Sequence, residues 1–197
     1  MFKTLLLALF CFPLSAKAGW LLWEAPVYIP PPAGEKEIGS VRAALPFIPS
    51  AARLDGDKAA ELKLDAVFEA GAGELRDFLG AAGFEETPYG FKRSFFAALT
   101  QLFSARLPTR FPPARKWLAD GRPQDLSFIR LRAGARTGVY LWRLPWRTKK
   151  APLWAAGARS PGGKSAWDGL SEITKRGRAL ELKARPAGKT FLVITLP

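Results

Sequence analysis

The chain contains no histidine, and its single cysteine, Cys11, lies in a segment that we expect to be removed from the mature protein. Metal sites built from cysteine and histidine, thiolate nucleophiles and histidine-based catalytic triads all need these side chains. The mature chain therefore lacks the residues for such sites and for a disulfide. We predict no cofactor and no metal ion.

Residues 1–18 have the layout of a secretory signal peptide. Lys3 supplies a short positive region, Leu5 to Phe12 form an apolar run, and small residues at 16 and 18 precede Gly19. A membrane-spanning helix needs about 20 apolar residues, so this run is too short to remain as an anchor. A lipoprotein signal is disfavoured because Cys11 is not preceded by a small residue. We expect cleavage after Ala18 and export to the periplasm or cell envelope; the alternative is a buried N-terminal helix.

Positive charge is concentrated in the second half of the mature chain. Residues 19–105 hold 8 lysines and arginines against 12 aspartates and glutamates, whereas residues 106–197 hold 20 against 5. This asymmetry indicates an anionic partner. For an exported protein that partner would be anionic lipid or envelope polysaccharide, since each basic residue near an anionic membrane contributes about 1 kcal/mol. The alternative is a solvated basic surface spread over several sides of the protein.

The segment Ala158–Ser165 is a loose match to a phosphate-binding P-loop, because it reads Ala-x4-Gly-Lys-Ser. A true P-loop follows a strand and opens a helix. Here Ala-Trp-Asp-Gly, a turn pattern, follows Ser165, and only 32 residues remain after it. The sequence therefore predicts a basic surface loop and no nucleotide.

Hydrophobic periodicity predicts an α+β domain over residues 59–197, preceded by a proline-rich extension over residues 19–58. The domain is expected to form an antiparallel or mixed sheet of about five strands with two helices packed on one face. Predicted strands lie at 62–68, 126–131, 139–144, 153–158, 179–183 and 191–196, and predicted helices at 74–83 and 92–106. Pro145 is expected to stop the 139–144 strand. The extension is expected to pack partly on the domain through Trp20, Trp23, Tyr28 and Phe47.

The helix predicted over 92–106 is strongly amphipathic. At about 100° per residue, its large apolar side chains cluster within a sector of about 120°. These side chains are Phe95, Phe96, Leu99, Leu102 and Phe103, with Lys92, Arg93 and Arg106 flanking them. We expect this apolar face to pack against the core. The alternative is a helix that lies in a membrane interface, with phenylalanines on one side and basic residues at its ends.

Residues 112–159 carry several short motifs in a fixed order. A proline-rich segment is followed by Gly-Arg-x-Gln-Asp-Leu at 121–126. Leu141-Trp142 then lies on a predicted strand, and Trp154 precedes a run of small residues. Upstream, the helix predicted from residue 74 ends in Ala-Gly-Phe. In these features the chain resembles the LssY C-terminal domain family, over about residues 62–160. The resemblance implies an envelope-associated accessory domain and names no reaction or substrate.

The chain departs from the family pattern in two places. It has Thr137-Gly138-Val139-Tyr140 where the family often carries histidine and arginine, and Arg159-Ser160-Pro161 where the family often carries an aspartate. A polar site that the family held there would be lost in this chain.

The matched polar and aromatic residues are the candidate site residues: Arg122, Gln124, Asp125, Trp142 and Trp154. We expect an Arg122–Asp125 ion pair to fix the start of the following strand, and Gln124 to hydrogen-bond loop backbone groups. Trp142 and Trp154, on successive strands, are expected to pair across the sheet. The alternative is that these residues bind a ligand.

Together these features predict an exported, non-catalytic envelope domain that binds an anionic component or a membrane-protein partner. One alternative is a hydrolase with two catalytic carboxylates. The acids of the basic half show no spacing that marks a pair: Asp120, Asp125, Asp168, Glu172 and Glu181. The other alternative is a nucleic-acid-binding domain, which a sequence pI of about 10.3 would favour if the leader were retained in the cytosol.

Overall fold

The computed structural model describes residues 29–103, 112–132, 134–160, 178–183 and 190–196. The predicted signal peptide, Trp20, Trp23, Tyr28 and most of the P-loop-like segment lie outside these residues. The chain described here combines helices with a mixed sheet, which confirms the predicted α+β class.

The elements alternate irregularly along the chain. The strands are β1 (Lys36–Glu37), β2 (Ala51–Leu54), β3 (Asp57–Lys63), β4 (Ala66–Glu69), β5 (Glu85–Glu86), β6 (Trp117–Ala119), β7 (Arg122–Pro123), β8 (Leu126–Arg132), β9 (Ala135–Arg147), β10 (Pro152–Arg159), β11 (Arg178–Lys183) and β12 (Thr190–Thr195). The helices are α1 (Val41–Ala44), α2 (Ala72–Ala81) and α3 (Phe91–Phe103), and a short 3-10 helix, Leu45–Phe47, follows α1.

A large sheet of eight strands forms the centre of the described structure. Its order is β11-β12-β4-β10-β9-β8-β5, with β1 paired to β9. β12 runs parallel to β4 and β1 parallel to β9, whereas the other pairs are antiparallel. The apolar run in β12 lies between β11 and β4, which confirms the prediction of an interior strand.

A second, smaller sheet has the order β3-β2-β6-β7 and was not predicted. The single strand predicted over 62–68 is wrong, because two strands share that segment. The chain leaves the small sheet after Lys63 and joins the large sheet at Ala66. Leu62 and Val67 are nevertheless buried in the same apolar cluster, since the two sheets pack on each other. The alternation of apolar and polar residues therefore continues from β3 into β4, although these two strands belong to different sheets.

The large sheet is covered on both faces, and alternate residues along each strand supply the two cores. The small sheet and α1 cover its first face, with a core that includes Leu45, Ala52, Leu62, Trp117, Tyr140, Trp142 and Leu153. Helix α2 covers the second face, with a core that includes Phe68, Leu75, Leu79, Leu141 and Trp154. Of the two predicted helices, α2 supplies residues to the second core, whereas neither apolar cluster of the described residues includes a residue of α3.

Pro145 does not end its strand, contrary to prediction. β9 continues to Arg147, and the pairing between β9 and β10 shifts register between Pro152 and Trp154, beside this proline. The pairing of β9 with β8 has already ended at Leu141. A proline is tolerated there because it sits at an irregularity, where the ladder needs no amide donor from it.

The described part of the predicted extension is continuous with the rest of the domain. β1 pairs with β9, with Lys36 opposite Trp146, and Leu45 is buried in the first core. Phe47, expected to pack on the domain, is 69% exposed, and the centroid of its ring lies 5.9 Å from that of Trp146.

Candidate functional site

The Arg122–Asp125 pair links the start of β8 to the middle of β9. Asp125 Oδ2 lies 3.3 Å from Arg122 Nη2 and accepts a hydrogen bond from the backbone N–H of Arg143 at 2.7 Å. Arg122 also donates to the Arg143 carbonyl oxygen. The ion pair therefore fixes the start of the strand, as the sequence predicted.

The pKa of the Asp125 carboxyl is raised above its ordinary value, chiefly by burial. The hydrogen bond from the Arg143 backbone and the charges of Arg122 and Arg143 act in the opposite direction. The pKa of Asp125 is higher in the folded state than in the unfolded state. The free energy of unfolding therefore falls as the pH rises from the ordinary aspartate pKa through the raised pKa, because the folded state disfavours the ionised carboxylate. The Asp125 carboxyl therefore positions the start of β8 through its hydrogen bonds, but its ionisation does not stabilise the folded protein.

Arg143 is the centre of the same network, and sequence reasoning missed it. Its Nη1 donates to the Ile29 carbonyl and its Nη2 to Glu35 Oε1, both at 3.0 Å. The guanidinium also lies over the ring of Trp154, 5.9 Å from the centroid. Arg143 follows Leu141-Trp142 directly, but the two residues that its guanidinium hydrogen-bonds, Ile29 and Glu35, are more than 100 residues away in sequence. The arginine therefore ties the first described residues to the large sheet.

Trp142 and Trp154 do not pair across the sheet, so that prediction is wrong. Trp142 lies opposite Ala155, whereas Trp154 lies opposite Arg143. The two indoles consequently point to opposite faces of the sheet, into the first and second core. Each N–H is satisfied by a carbonyl: Trp142 donates to Arg122 at 3.1 Å and Trp154 to Ala70 at 2.9 Å.

Gln124 is buried and holds the segment that leads into β6. Its Oε1 accepts from the Trp117 backbone N–H, and its Nε2 donates to the Arg115 carbonyl, both at 2.7 Å. This confirms the prediction that it satisfies loop backbone groups. Arg122, Gln124, Asp125 and Trp142 thus lie around the junction of β6 and β7 with β8 and β9, whereas Trp154 lies on β10 and belongs to the second core.

Helix α3 exposes Phe95, Phe96, Leu102 and Phe103, which contradicts the prediction of a core-facing stripe, whereas the fifth residue of that stripe, Leu99, is half-buried. The buried residues of the helix are Ser94, Ala97, Ala98 and Gln101. Gln101, on the buried side of the helix, donates to the Glu85 carboxylate on β5. At about 100° per residue, the bulky stripe lies on the side of the helix away from Gln101.

The exposed stripe forms what we call the phenylalanine surface: Phe91, Phe95, Phe96, Leu102 and Phe103. Phe91 and Phe103 are the most exposed of these, at 62% and 74%. The Phe91 and Phe95 rings stack at 6.1 Å, and Phe95 and Phe96 meet edge to face at 5.8 Å. The first turn carries Lys92 and Arg93, and α3 has no acidic residue. The surface is therefore apolar with a cationic end.

The acids considered for hydrolysis do not form a catalytic pair in the part of the chain that is described. Asp125 is held by Arg122 and Arg143, and Asp120 lies in the β6–β7 turn. Asp168, Glu172 and the side chain of Glu181 lie outside the described residues. Within the described ranges, no group of three or more metal-binding side chains occurs. Nor does any helix there have the length and apolar character to cross a membrane.

Comparisons with models of known protein families, with curated proteins and with solved structures found no match to this chain. The resemblance to the LssY C-terminal domain family stays a prediction, and the geometry of the described residues is the ground for a functional proposal.

Proposed function

We propose that this chain is an exported, non-catalytic domain of the cell envelope that binds the surface of an anionic membrane. The single observation that carries the proposal is the phenylalanine surface of α3, a row of exposed apolar side chains beside Lys92 and Arg93. Aromatic side chains on one side and basic residues at one end are typical of helices that lie in a membrane interface.

The energetics favour such a role. Large exposed apolar patches in a soluble domain mark sites of interaction. Inserting a phenylalanine ring into the acyl boundary contributes about 1.5–3 kcal/mol when burial is complete. The basic second half of the mature chain, with 20 lysines and arginines against 5 acids, adds long-range attraction to anionic headgroups. Apolar insertion would resist salt, whereas headgroup attraction would weaken with it.

We predict that the mature protein co-sediments with phosphatidylglycerol vesicles and only weakly with phosphatidylcholine vesicles. Replacing the two most exposed phenylalanines together, Phe91→Ser and Phe103→Ser, should weaken binding by about tenfold or more, because each ring contributes apolar insertion. Phe47→Ser is the matched control, since Phe47 is as exposed at 69% but lies outside α3. Equal binding by the double variant and the wild type, with both folded, would contradict the proposal.

Export gives a separate prediction. Mass spectrometry of the protein recovered from its native cell should give Gly19 as the N-terminal residue, because the signal peptide is expected to be cut after Ala18. Recovery of the chain from the cytosol with the leader still attached would contradict export and would favour nucleic acid as the anionic partner.

A further inference from the structure

A second group of polar side chains lies on the first face of the large sheet, where β6 packs against β9 and β10. The Trp117 indole is fully buried there and meets the Tyr140 ring edge to face, with centroids 5.9 Å apart. The guanidinium of Arg159 lies over the same indole, 5.3 Å from its centroid. Three different strands therefore bring an indole, a phenol and a guanidinium together.

Gly138 fixes the position of the Tyr140 hydroxyl. The tyrosine side chain folds back along β9, so that a Cβ added at Gly138 would lie 2.7 Å from Tyr140 Oη. Gly138 is also the residue of β9 that lies opposite Arg159. The hydroxyl is consequently held beside the strand position that carries Arg159.

Two more arginines carry charges that act on this hydroxyl. Arg136 is on β9 and shares the face of Gly138 and Tyr140, since these residues alternate along the strand. Its guanidinium is half-buried and donates to the Pro112 carbonyl oxygen. Arg115 precedes β6, and its backbone is held by Gln124. The charges of Arg115, Arg136 and Arg159 all act on Tyr140.

The cluster contains cations without counter-charges. The charged groups that act on Tyr140 are the three arginines, and Arg136 is also repelled by Arg115. In the part of the chain that is described, none of the three arginines forms an ion pair, whereas the neighbouring Lys116 lies 2.9 Å from Asp55. Arg115 and Arg159 are exposed and Arg136 is half-buried, so water screens part of their mutual repulsion, and the convergence of like charges attracts an anion.

Two neutral donors complete the group. The buried Trp117 Nε1–H finds no hydrogen-bond partner among the described residues, although it lies close enough to Tyr140 to lower the pKa of that hydroxyl. Burial outweighs this effect and raises the pKa of Tyr140 above its ordinary value of 10.0. The hydroxyl therefore stays protonated at neutral pH and can donate. A buried indole N–H normally has an acceptor, so a ligand oxygen beside the Tyr140 hydroxyl would complete its hydrogen bonding.

We propose that Arg115, Arg136 and Arg159, together with the Tyr140 hydroxyl and the Trp117 indole N–H, form a binding site for a phosphate group. Guanidinium groups match phosphate oxygens in bidentate geometry. A tetrahedral phosphate accepts hydrogen bonds from several directions, which suits donors that come from three strands, whereas a planar carboxylate offers only two oxygens. The site uses other elements than α3, so it does not depend on the proposed membrane binding.

The test is a calorimetric titration of the mature protein with sodium phosphate at constant ionic strength. We expect binding with a Kd of about 1 mM or tighter. Arg136→Gln and Arg159→Gln should each weaken it by about tenfold or more, because each removes a charged donor. Tyr140→Phe should weaken it by several-fold and leave the ring packing intact.

The matched control is Arg132→Gln, which removes an exposed arginine of the same β8–β9 hairpin without touching the cluster. It should bind phosphate as the wild type does. Sodium acetate at the same ionic strength should bind much more weakly than phosphate. Thermal denaturation without ligand verifies that each variant is folded.

No phosphate binding by the folded wild type, or equal weakening by Arg132→Gln and Arg159→Gln, would overturn the proposal. With phosphate binding established, a parallel loss of phosphatidylglycerol vesicle binding in Arg159→Gln would identify a lipid headgroup as the source of the phosphate. Unchanged vesicle binding would identify a soluble phosphate compound. The Phe91→Ser and Phe103→Ser variant should keep phosphate binding, so failure of the membrane proposal is measured separately.

Discussion

Trp154→Ala should lower the free energy of unfolding by about 3–5 kcal/mol, the usual cost of deleting a buried tryptophan ring. Trp154 has no exposed surface and lies opposite Phe68 in the β10–β4 pairing, within the core between the large sheet and α2. The substitution removes the ring from this core and also removes the donor to the Ala70 carbonyl, which follows β4. Chemical denaturation of the mature protein would measure the loss.

Two further variants separate packing from hydrogen bonding. Trp154→Phe keeps much of the apolar volume but leaves the Ala70 carbonyl without its donor, which should cost about 1–3 kcal/mol. Phe47→Ala, at an exposed aromatic position, should cost less than about 1 kcal/mol. A Trp154→Ala variant as stable as Phe47→Ala would show that the second core does not depend on this indole.

Local patterns predicted several elements well. The strands predicted at 126–131 and 153–158 correspond to β8 and β10, and the helix predicted at 74–83 corresponds to α2. Leu75 and Leu79 are buried as the helical spacing predicted, and Gly83, with φ of 80°, follows the helix in a conformation that favours glycine. Each of these signals lies within a short stretch of chain.

The orientation of α3 could not be predicted in this way. A stripe of apolar side chains fixes which residues share a face, but it does not fix what that face contacts. The buried side of α3 contacts Glu85 of β5 through Gln101, and these two residues come from different elements. The prediction that Trp142 and Trp154 pair across the sheet was wrong for a similar reason. The register that places Arg143 opposite Trp154 depends on the irregular pairing near Pro152, which a local pattern does not reveal.

The candidate sites differ in the same way, because one rests on residues close in sequence and the other on residues from distant segments. Arg122 and Asp125 are three residues apart, so their pairing was predictable from spacing. The arginine cluster joins residues 115, 136 and 159 through the packing of β6 on β9 and β10, and this packing has no signature in any one segment. The basic composition of the second half predicts an anionic partner, but it does not indicate where the charges converge.

Arg143→Ala should destabilise the protein by about 3 kcal/mol, the low end of the range for breaking a buried ion pair. Arg143 and Glu35 are 13% and 14% exposed, so water still reaches a little of each side chain. Removing the guanidinium leaves the Glu35 carboxylate buried beside a vacated position and removes the donor to the Ile29 carbonyl. Thermal and chemical denaturation would both report this loss.

A double-mutant cycle decides whether the Glu35 pairing is the cause. Glu35→Gln alone should destabilise the protein, because it removes the carboxylate that forms an ion pair with the Arg143 guanidinium. In the Arg143→Ala background the same change should be neutral or stabilising, since it removes an unpaired buried carboxylate. Lys63→Ala, which breaks an ion pair to Asp65 at 3.8 Å with the lysine 79% exposed, should change stability little. An equal effect of Glu35→Gln in both backgrounds would show that Arg143 stabilises the fold through its contacts with Ile29 and Trp154 instead.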